Sequence, residues 1–388
     1  MGGERRRRLT VHVRPELLRW ARERAGLSLE RLKKPFPKID LWERGEAHPT
    51  LKQLERLARM LRVPLGFLFL DSPPDEILPI PDLRTMARTE YSRPSPELLD
   101  TIYMCQKAQE WYRDYLASVG ERPIPFVGSA TTDDDIRVIA ADIRRHLRFD
   151  IEQRGALRTW TQALSCFIDQ VEEIGIIVMV NGVVGNNPHR RLHPEEFRGF
   201  AMVDERAPIV FINGADSISA KTFTLAHELA HIWLGSSGVT DSELFRLPNT
   251  AVERWCNQVA AEVLVPEEAL AQSFDRKYDL LGEINRLARV FKVSTLVILR
   301  RLSDLGYLGW QSYRKLYSHE LQRLLVYERR RTESGGNFYV TLSRRVSPRL
   351  ARALIASVFE GHTLFRDALH MLGISKMDTF KKFAETLR

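Results

Sequence analysis

The chain has little of what would place it outside a cell or inside a membrane. It holds three cysteines in 388 residues, Cys105, Cys166 and Cys256. They are widely spaced and form no disulfide or chelating pattern. No run of 18 apolar residues occurs, so nothing reads as a membrane-spanning helix. The basic stretch Met1–Arg8 is not followed by an apolar segment and does not read as a secretory signal. These absences exclude a disulfide scaffold and a membrane-embedded protein, and the expectation is a cytoplasmic one.

The composition is otherwise ordinary. Hydrophobic residues make up 44% and charged residues 28%, values typical of folded domains. The length allows two to four of them, with ample core. The net charge is +8, but residues 1–70 alone hold 17 Lys/Arg against 8 Asp/Glu, a net of +9, so the remainder sums to about −1. A basic excess confined to one segment is the footprint of a nucleic-acid-facing module. A solvated basic surface would give the same count.

Within that segment, Leu17, Leu18, Ala21, Ala25, Leu29 and Leu32 recur mostly at helical spacing, with a break at Gly26. Ser28 is a good N-cap, although Arg31 is neither acidic nor an amide, so a capping box is only half built. The run Leu41-Trp42-Glu43-Arg44-Gly45 follows. Pro49 and Thr50 then precede a helix with Leu54, Leu57, Ala58 and Leu61 on its core face. Phe67–Leu70 closes the unit. The whole resembles a Cro/XRE-type helix-turn-helix, in which W-E-x-G follows the recognition helix. It departs from that pattern between Ser28 and Trp42, where about four residues are missing and Pro35 and Pro37 stand where a recognition helix would begin. Lys33, Lys34, Lys38 and Arg44 remain candidates for phosphate contact. The segment reads as a shortened module, suited to weak DNA contact or partner docking, with sequence-specific DNA binding as the alternative. Arg5–Arg8 read as a disordered basic tail.

The strongest chemical signal lies further on, in Thr222-Phe223-Thr224-Leu225-Ala226-His227-Glu228-Leu229-Ala230-His231. On a helix, His227 and His231 are one turn apart and project from one face, so both imidazoles can reach one metal ion. Glu228 beside them can accept a proton from an attacking water. The bland alternative is an amphipathic helix with two incidental histidines. The context argues against it. Ile209–Asn213 reads as a buried strand leading into the helix. A second helix carries Glu253 and Asn257 at i, i+4. Glu253 can supply the third protein ligand of an open zinc site, and Asn257 can orient a histidine from behind.

The runs Glu196–Ala201, Ala207–Asp216, the His227 motif and Glu253–Pro266 together resemble the ImmA/IrrE family of metallo-endopeptidases, over about residues 120–310. The resemblance implies that His227, His231 and Glu253 hold Zn2+ and that Glu228 is the general base. Cys256 stands where the family usually has alanine, and reads as a small packing residue rather than a ligand. The fold class expected is α+β: a mainly helical multidomain chain with a zincin-like core, a small mixed sheet plus the H-E-x-x-H helix. The domains expected are 1–70, a shortened helix-turn-helix; 71–118, linker and helix; 119–318, the peptidase; and 319–388, a helical domain of unassigned role.

Around these, Asp71–Arg84 is proline-rich and reads as an extended linker. Residues 96–118 read as one long helix. Thr132–Leu147 and Gly155–Ile174 read as helices leading to a strand at Ile176–Val180. Leu281–Leu305 is helical, and its Leu287–Ser294 stretch resembles the start of a small helix-turn-helix. Gly335–Thr341 suggests a short strand. Helices are expected at Pro348–Glu360, Leu364–Leu372 and Lys376–Thr386, the second capped by Thr363. Arg344, Arg345, Arg349 and Arg352 form a basic cluster with no assigned role.

The function expected is a zinc-dependent regulatory endopeptidase that cleaves a specific protein, such as a repressor or toxin partner, with possible DNA contact through residues 1–70. The alternative is a transcriptional regulator or antitoxin-like binding protein of a toxin–antitoxin or mobile-element system, with little or no proteolysis. A hairpin of 197–203 and 208–213 would offer an edge strand to an extended substrate. His189, His193 and Tyr278 are candidates for stabilising the oxyanion.

Overall fold

Capping residues and apolar spacing set most of the helices, and tertiary packing sets the rest. The computed structural model describes residues 10–76, 78–81, 94–240, 250–275, 279–330 and 338–387. Arg5–Arg8, Asp82–Arg84, Tyr278 and Gly335–Asn337 lie outside the described residues. The chain divides into two compact units, Met1–Leu78 with Tyr91–Leu99, and Pro79–Glu90 with Asp100–Arg388. No helix among the described residues is long and apolar enough to cross a membrane.

The first unit contains α1 (Pro15–Arg24), α2 (Leu29–Lys33), α3 (Ile39–Arg44), α4 (Leu51–Leu61) and a 3-10 turn at Leu65–Phe69. Proline opens α1, where its missing N–H costs nothing. Ser28 caps α2 through the Arg31 N–H at 3.3 Å. Thr50 and Gln53 cap α4 reciprocally. Leu18, Ala21, Leu32, Trp42, Leu54, Leu57 and Leu61 build the core.

Each conspicuous residue of the Trp42–Gly45 run has a separate job. Trp42 fills the core. Glu43 is buried and accepts from Arg22 Nε at 2.8 Å and Nη2 at 3.2 Å, tying α3 to α1. Gly45 ends α3 in the left-handed region at φ 77°, which disfavours side chains. Between α2 and α3, Pro35 and Pro37 flank a buried Phe36, whose ring lies 6.0 Å from Trp42. The helix at the recognition position is therefore six residues long.

In chain order, α5 (Pro96–Ser118) leads to α6 (Ile136–Leu147), α7 (Ile151–Ala156), α8 (Trp160–Glu173) and the strands β1 (Ile177–Asn181), β2 (Gly199–Met202) and β3 (Ile209–Asn213). Next come α9 (Ile218–Leu234), β4 (Gly238–Thr240), α10 (Ala251–Leu264), α11 (Glu267–Ser273), α12 (Leu280–Phe291), α13 (Thr295–Asp304) and α14 (Trp310–Arg330). The chain closes with α15 (Phe338–Val346), α16 (Pro348–Phe359), α17 (Phe365–Leu372) and α18 (Met377–Thr386).

The sheet is mixed, in the order β1-β3-β2-β4. β1 runs parallel to β3, while β2 pairs antiparallel with both β3 and β4. The expected hairpin thus exists, but its β2 edge is covered by β4, a strand too short to announce itself in sequence. α9 packs against β2 and β3 and against α8 and α10. Its C-terminal end is closed by an upstream segment: Gly128 N donates to Ile232 O at 3.0 Å and Ala130 N to Trp233 O at 2.9 Å. The Phe126 and Trp233 rings stack with centroids 4.2 Å apart.

Four further expectations need correction. The 132–147 helix starts only at Ile136, because Asp135 caps it through the Arg137 N–H. The 155–174 stretch is two helices, because Thr159 and Gln162 form a capping box that starts α8 afresh. Phe338–Thr341 belongs to α15 rather than to a strand, and Leu342 and Val346, one turn apart, are both buried. Thr363 does not cap α17; its hydroxyl pairs with Ser357 Oγ at 2.7 Å and accepts from Trp111 Nε1 at 3.2 Å.

Candidate metal centre

The site is built where α9 and α10 cross. Ser217 starts α9 by accepting from the Ala220 N–H at 3.2 Å, and Gly235 stops it at φ 70°. Every residue from Thr222 to Trp233 is buried, so the helix is packed on all sides and its histidines cannot wander. Thr250 caps α10 by accepting from the Glu253 N–H at 3.2 Å. That puts Glu253 in the first turn, where the helix dipole favours a negative charge. Its carboxylate turns to the histidines instead of completing a capping box.

His227 and His231 are fully buried and Glu253 is 5% exposed. One donor atom from each lies within 4.8 Å of the others, a group that could hold a metal ion. His231 Nε2 is 3.1 Å from His227 Nε2 and 3.1 Å from Glu253 Oε1. His227 Nε2 is 3.3 Å from Glu253 Oε2.

The outer nitrogens explain why these distances call for a cation. His231 Nδ1 lies 3.1 Å from the Ser236 carbonyl, which can only accept. His227 Nδ1 lies 3.0 Å from Asn257 Oδ1. With hydrogens on both Nδ1 atoms, both neutral rings present bare Nε2 lone pairs to each other and to a carboxylate. Acceptors facing acceptors in a buried space need a positive charge between them. The donor set of two imidazoles and one carboxylate suits a transition metal with an open position. Burial opposes ionisation of Glu253, and only positive charge on the imidazole side, the same charge the facing acceptors call for, outweighs it and holds the carboxyl well below the usual range.

Glu228 is fully buried on the same helix. Its neighbour across the sheet is Gly199 on β2. A Cβ at Gly199 would stand 2.5 Å from Thr224 Cγ2, 2.8 Å from Phe211 O and 3.1 Å from Glu228 Oε1. The glycine lets β2 lie directly against the face of α9 that carries the carboxylate. Cys256 is buried in the core. Burial pushes its thiol well up, and the charges of Glu253 and Glu228 push the same way, so it stays protonated and packs, as the sequence suggested.

Of the other candidates, His189 and His193 are exposed on the loop between β1 and β2. Lys33, Lys34, Lys38 and Arg44 are all exposed on the first unit. Lys33 and Arg44 both face Asp40, at 3.6 and 4.0 Å. Sequence reasoning missed the Ser236 carbonyl, a backbone group with no residue-type signal. It also assigned nothing to Gly199, although that glycine opens an otherwise apolar strand.

Residues 172–303 match the M78 peptidase family model, described as an IrrE N-terminal-like domain. Residues 18–68 match a helix-turn-helix model. The chain therefore carries an N-terminal helix-turn-helix fused to an ImmA/IrrE-type domain of a peptidase family. Residues 346–386 match a domain of unknown function, DUF8813. No curated protein matches the chain.

Proposed function

We propose that the second unit is a zinc-dependent endopeptidase that cleaves a specific protein, such as a repressor or a toxin partner, in a cytoplasmic setting. The helix-turn-helix brings it to DNA or to that partner. One observation carries this reading: two tautomer-fixed imidazoles and an ionised carboxylate converge in a buried space. His227, His231 and Glu253 would hold the ion, which when bound polarises the scissile carbonyl and acidifies water. Asn257 and the Ser236 carbonyl keep the two rings turned toward it. Glu228 takes the proton of the attacking water on its carboxylate and passes it to the leaving amine nitrogen. Lys33, Lys34, Lys38 and Arg44 supply phosphate contacts from the exposed face of the first unit. Elemental analysis of the purified chain tests the assignment. One zinc per chain is expected in the wild type and little in His231→Ala; equal zinc in both would sink it.

A further inference from the structure

Glu172 is a buried acid outside the metal centre. It is 7% exposed and lies in the last turn of α8, the end of a helix that disfavours negative charge. Three donors from neighbouring segments meet its carboxyl. Ile177 N bonds toward β3, at Pro208 O, so the next amide of β1, that of Val178, faces the outer edge of the sheet. The Val178 amide, the Arg349 amide in the first turn of α16 and the Ser347 hydroxyl all donate to Glu172. Ser347 is the cap of α16, fully buried and held at φ 76°. A serine keeps that left-handed backbone only where its surroundings impose it, and such strain gathers at switches.

As an anion the carboxyl is nonetheless poorly provided for. Glu172 Oε1 is buried with no hydrogen-bond partner among the described residues. The nearby guanidiniums are engaged elsewhere. Arg344 of α15 pairs with Asp169 of α8 at 2.7 Å. Arg349 of α16 donates to Tyr112 Oη on α5 at 2.9 Å and to the Glu172 main-chain carbonyl at 3.0 Å. Glu173, the next residue of α8, is exposed, and β1 brings no charged side chain. Burial therefore pushes the carboxyl up from its ordinary 4.5 to about 7, against the pull of Ser347, Arg344 and the two amides.

We propose that Glu172 is a proton-operated latch: neutral, it seats α15 and α16 on β1 and α8; ionised, it loosens them. A carboxyl raised in this way adds docking strength that is complete below about 4.5 and gone above about 7. The same helices hold the loop between β1 and β2. Arg345 of α15 donates to Asn186 Oδ1, and Asn186 Nδ2 donates at 3.2 Å to the carbonyl of Gly373, which ends α17. That loop leads to Gly199, the residue that abuts Glu228. The latch stands on its own geometry, whether or not the second unit is a peptidase.

Hydrogen exchange of the full chain from about pH 6 to about pH 9, corrected for the intrinsic pH dependence of exchange, tests the latch. Protection of α16 should fall about tenfold across that range, while that of α13 stays level. Glu172→Gln cannot ionise and should keep α16 equally protected throughout. Ser347→Gly removes a donor that favours the anion, so the fall should move to higher pH. Level protection of α16 in the wild type overturns the proposal, and so does a wild-type fall in Glu172→Gln. A fall shared equally by α13 reports general unfolding and overturns it as well. If Glu172→Gln does not fold, Ser347→Gly decides, and a fall at the wild-type pH sinks the latch.

Discussion

The two units handle polar residues in opposite ways. In the peptidase-family unit, His227, His231 and Glu253 are buried, and the outer nitrogen of each ring is fixed by a named acceptor. In the helix-turn-helix, Lys33, Lys34, Lys38 and Arg44 stand in solvent. The first arrangement fixes geometry before any ligand arrives. The second offers charge without fixing where it points. Chemistry on a bond needs the former, whereas attraction to a polyanion needs only the latter. Substitutions should therefore have large, position-specific effects in one unit and small, additive, salt-dependent effects in the other.

The sharpest test of the contrast is Glu228→Gln. The amide cannot take a proton, so cleavage of a candidate partner should fall by about 10²–10⁴-fold or more, while zinc content stays at the wild-type level. Near wild-type hydrolysis would show that Glu228 is not the base. The first unit has its own buried polar pair, and that allows the contrast to be sharpened. Glu43→Ala leaves the Arg22 guanidinium, whose side chain is 15% exposed, with only its longer bonds to Leu27 O and Glu23, and should cost the helix-turn-helix about 2–3 kcal/mol. A melt showing no loss would mean that the pair is replaced by water at no cost. If the loss occurs, burial rather than the choice of unit governs the size of an effect.

Gly199→Ala should cost about 1–3 kcal/mol, because the new methyl meets the Phe211 carbonyl, part of a paired strand that cannot easily yield. The same variant should slow hydrolysis by shifting Glu228, with zinc retained. A neutral melt together with a normal rate would show that β2 and α9 are looser than the distances imply. The smallest effect belongs to Lys38→Ala. It should weaken DNA binding by a similar factor on specific and scrambled duplexes and lower the log–log salt slope by about 1. Gel shifts at two salt concentrations measure both. Tight, salt-resistant binding to one duplex by the wild type would break the comparison, since it would make the short α3 a reader of bases.

The parts of the site that were legible in sequence are those that residue type encodes. His227, Glu228 and His231 are marked by helical spacing, and Glu253 by its i, i+4 spacing with Asn257 on the helix that follows and by the family resemblance. The W-E-x-G run gave away the helix-turn-helix, because a core tryptophan, a buried carboxylate and a left-handed glycine each require their own residue. The parts that were not legible depend on contacts between distant segments. β4 is three residues long and exists because β2 is there to pair with it. The Ser236 carbonyl could be any residue's. Phe338–Thr341 has strand-like composition but opens α15, a helix that packs against β1. Thr363 is a good cap by type, yet its hydroxyl is claimed by Ser357 and Trp111.

The tie between residues 126–130 and the end of α9 has a practical consequence. The family signature begins at residue 172, and a fragment cut at that point would keep every candidate ligand. It would also lose the amides of Gly128 and Ala130 that close off the Ile232 and Trp233 carbonyls, and the Phe126 ring that lies on Trp233. Those carbonyls belong to the two residues that directly follow His231. A fragment meant to test the proposed chemistry should thus start before Phe126, since a shorter one would retain the motif on a helix whose end has come undone.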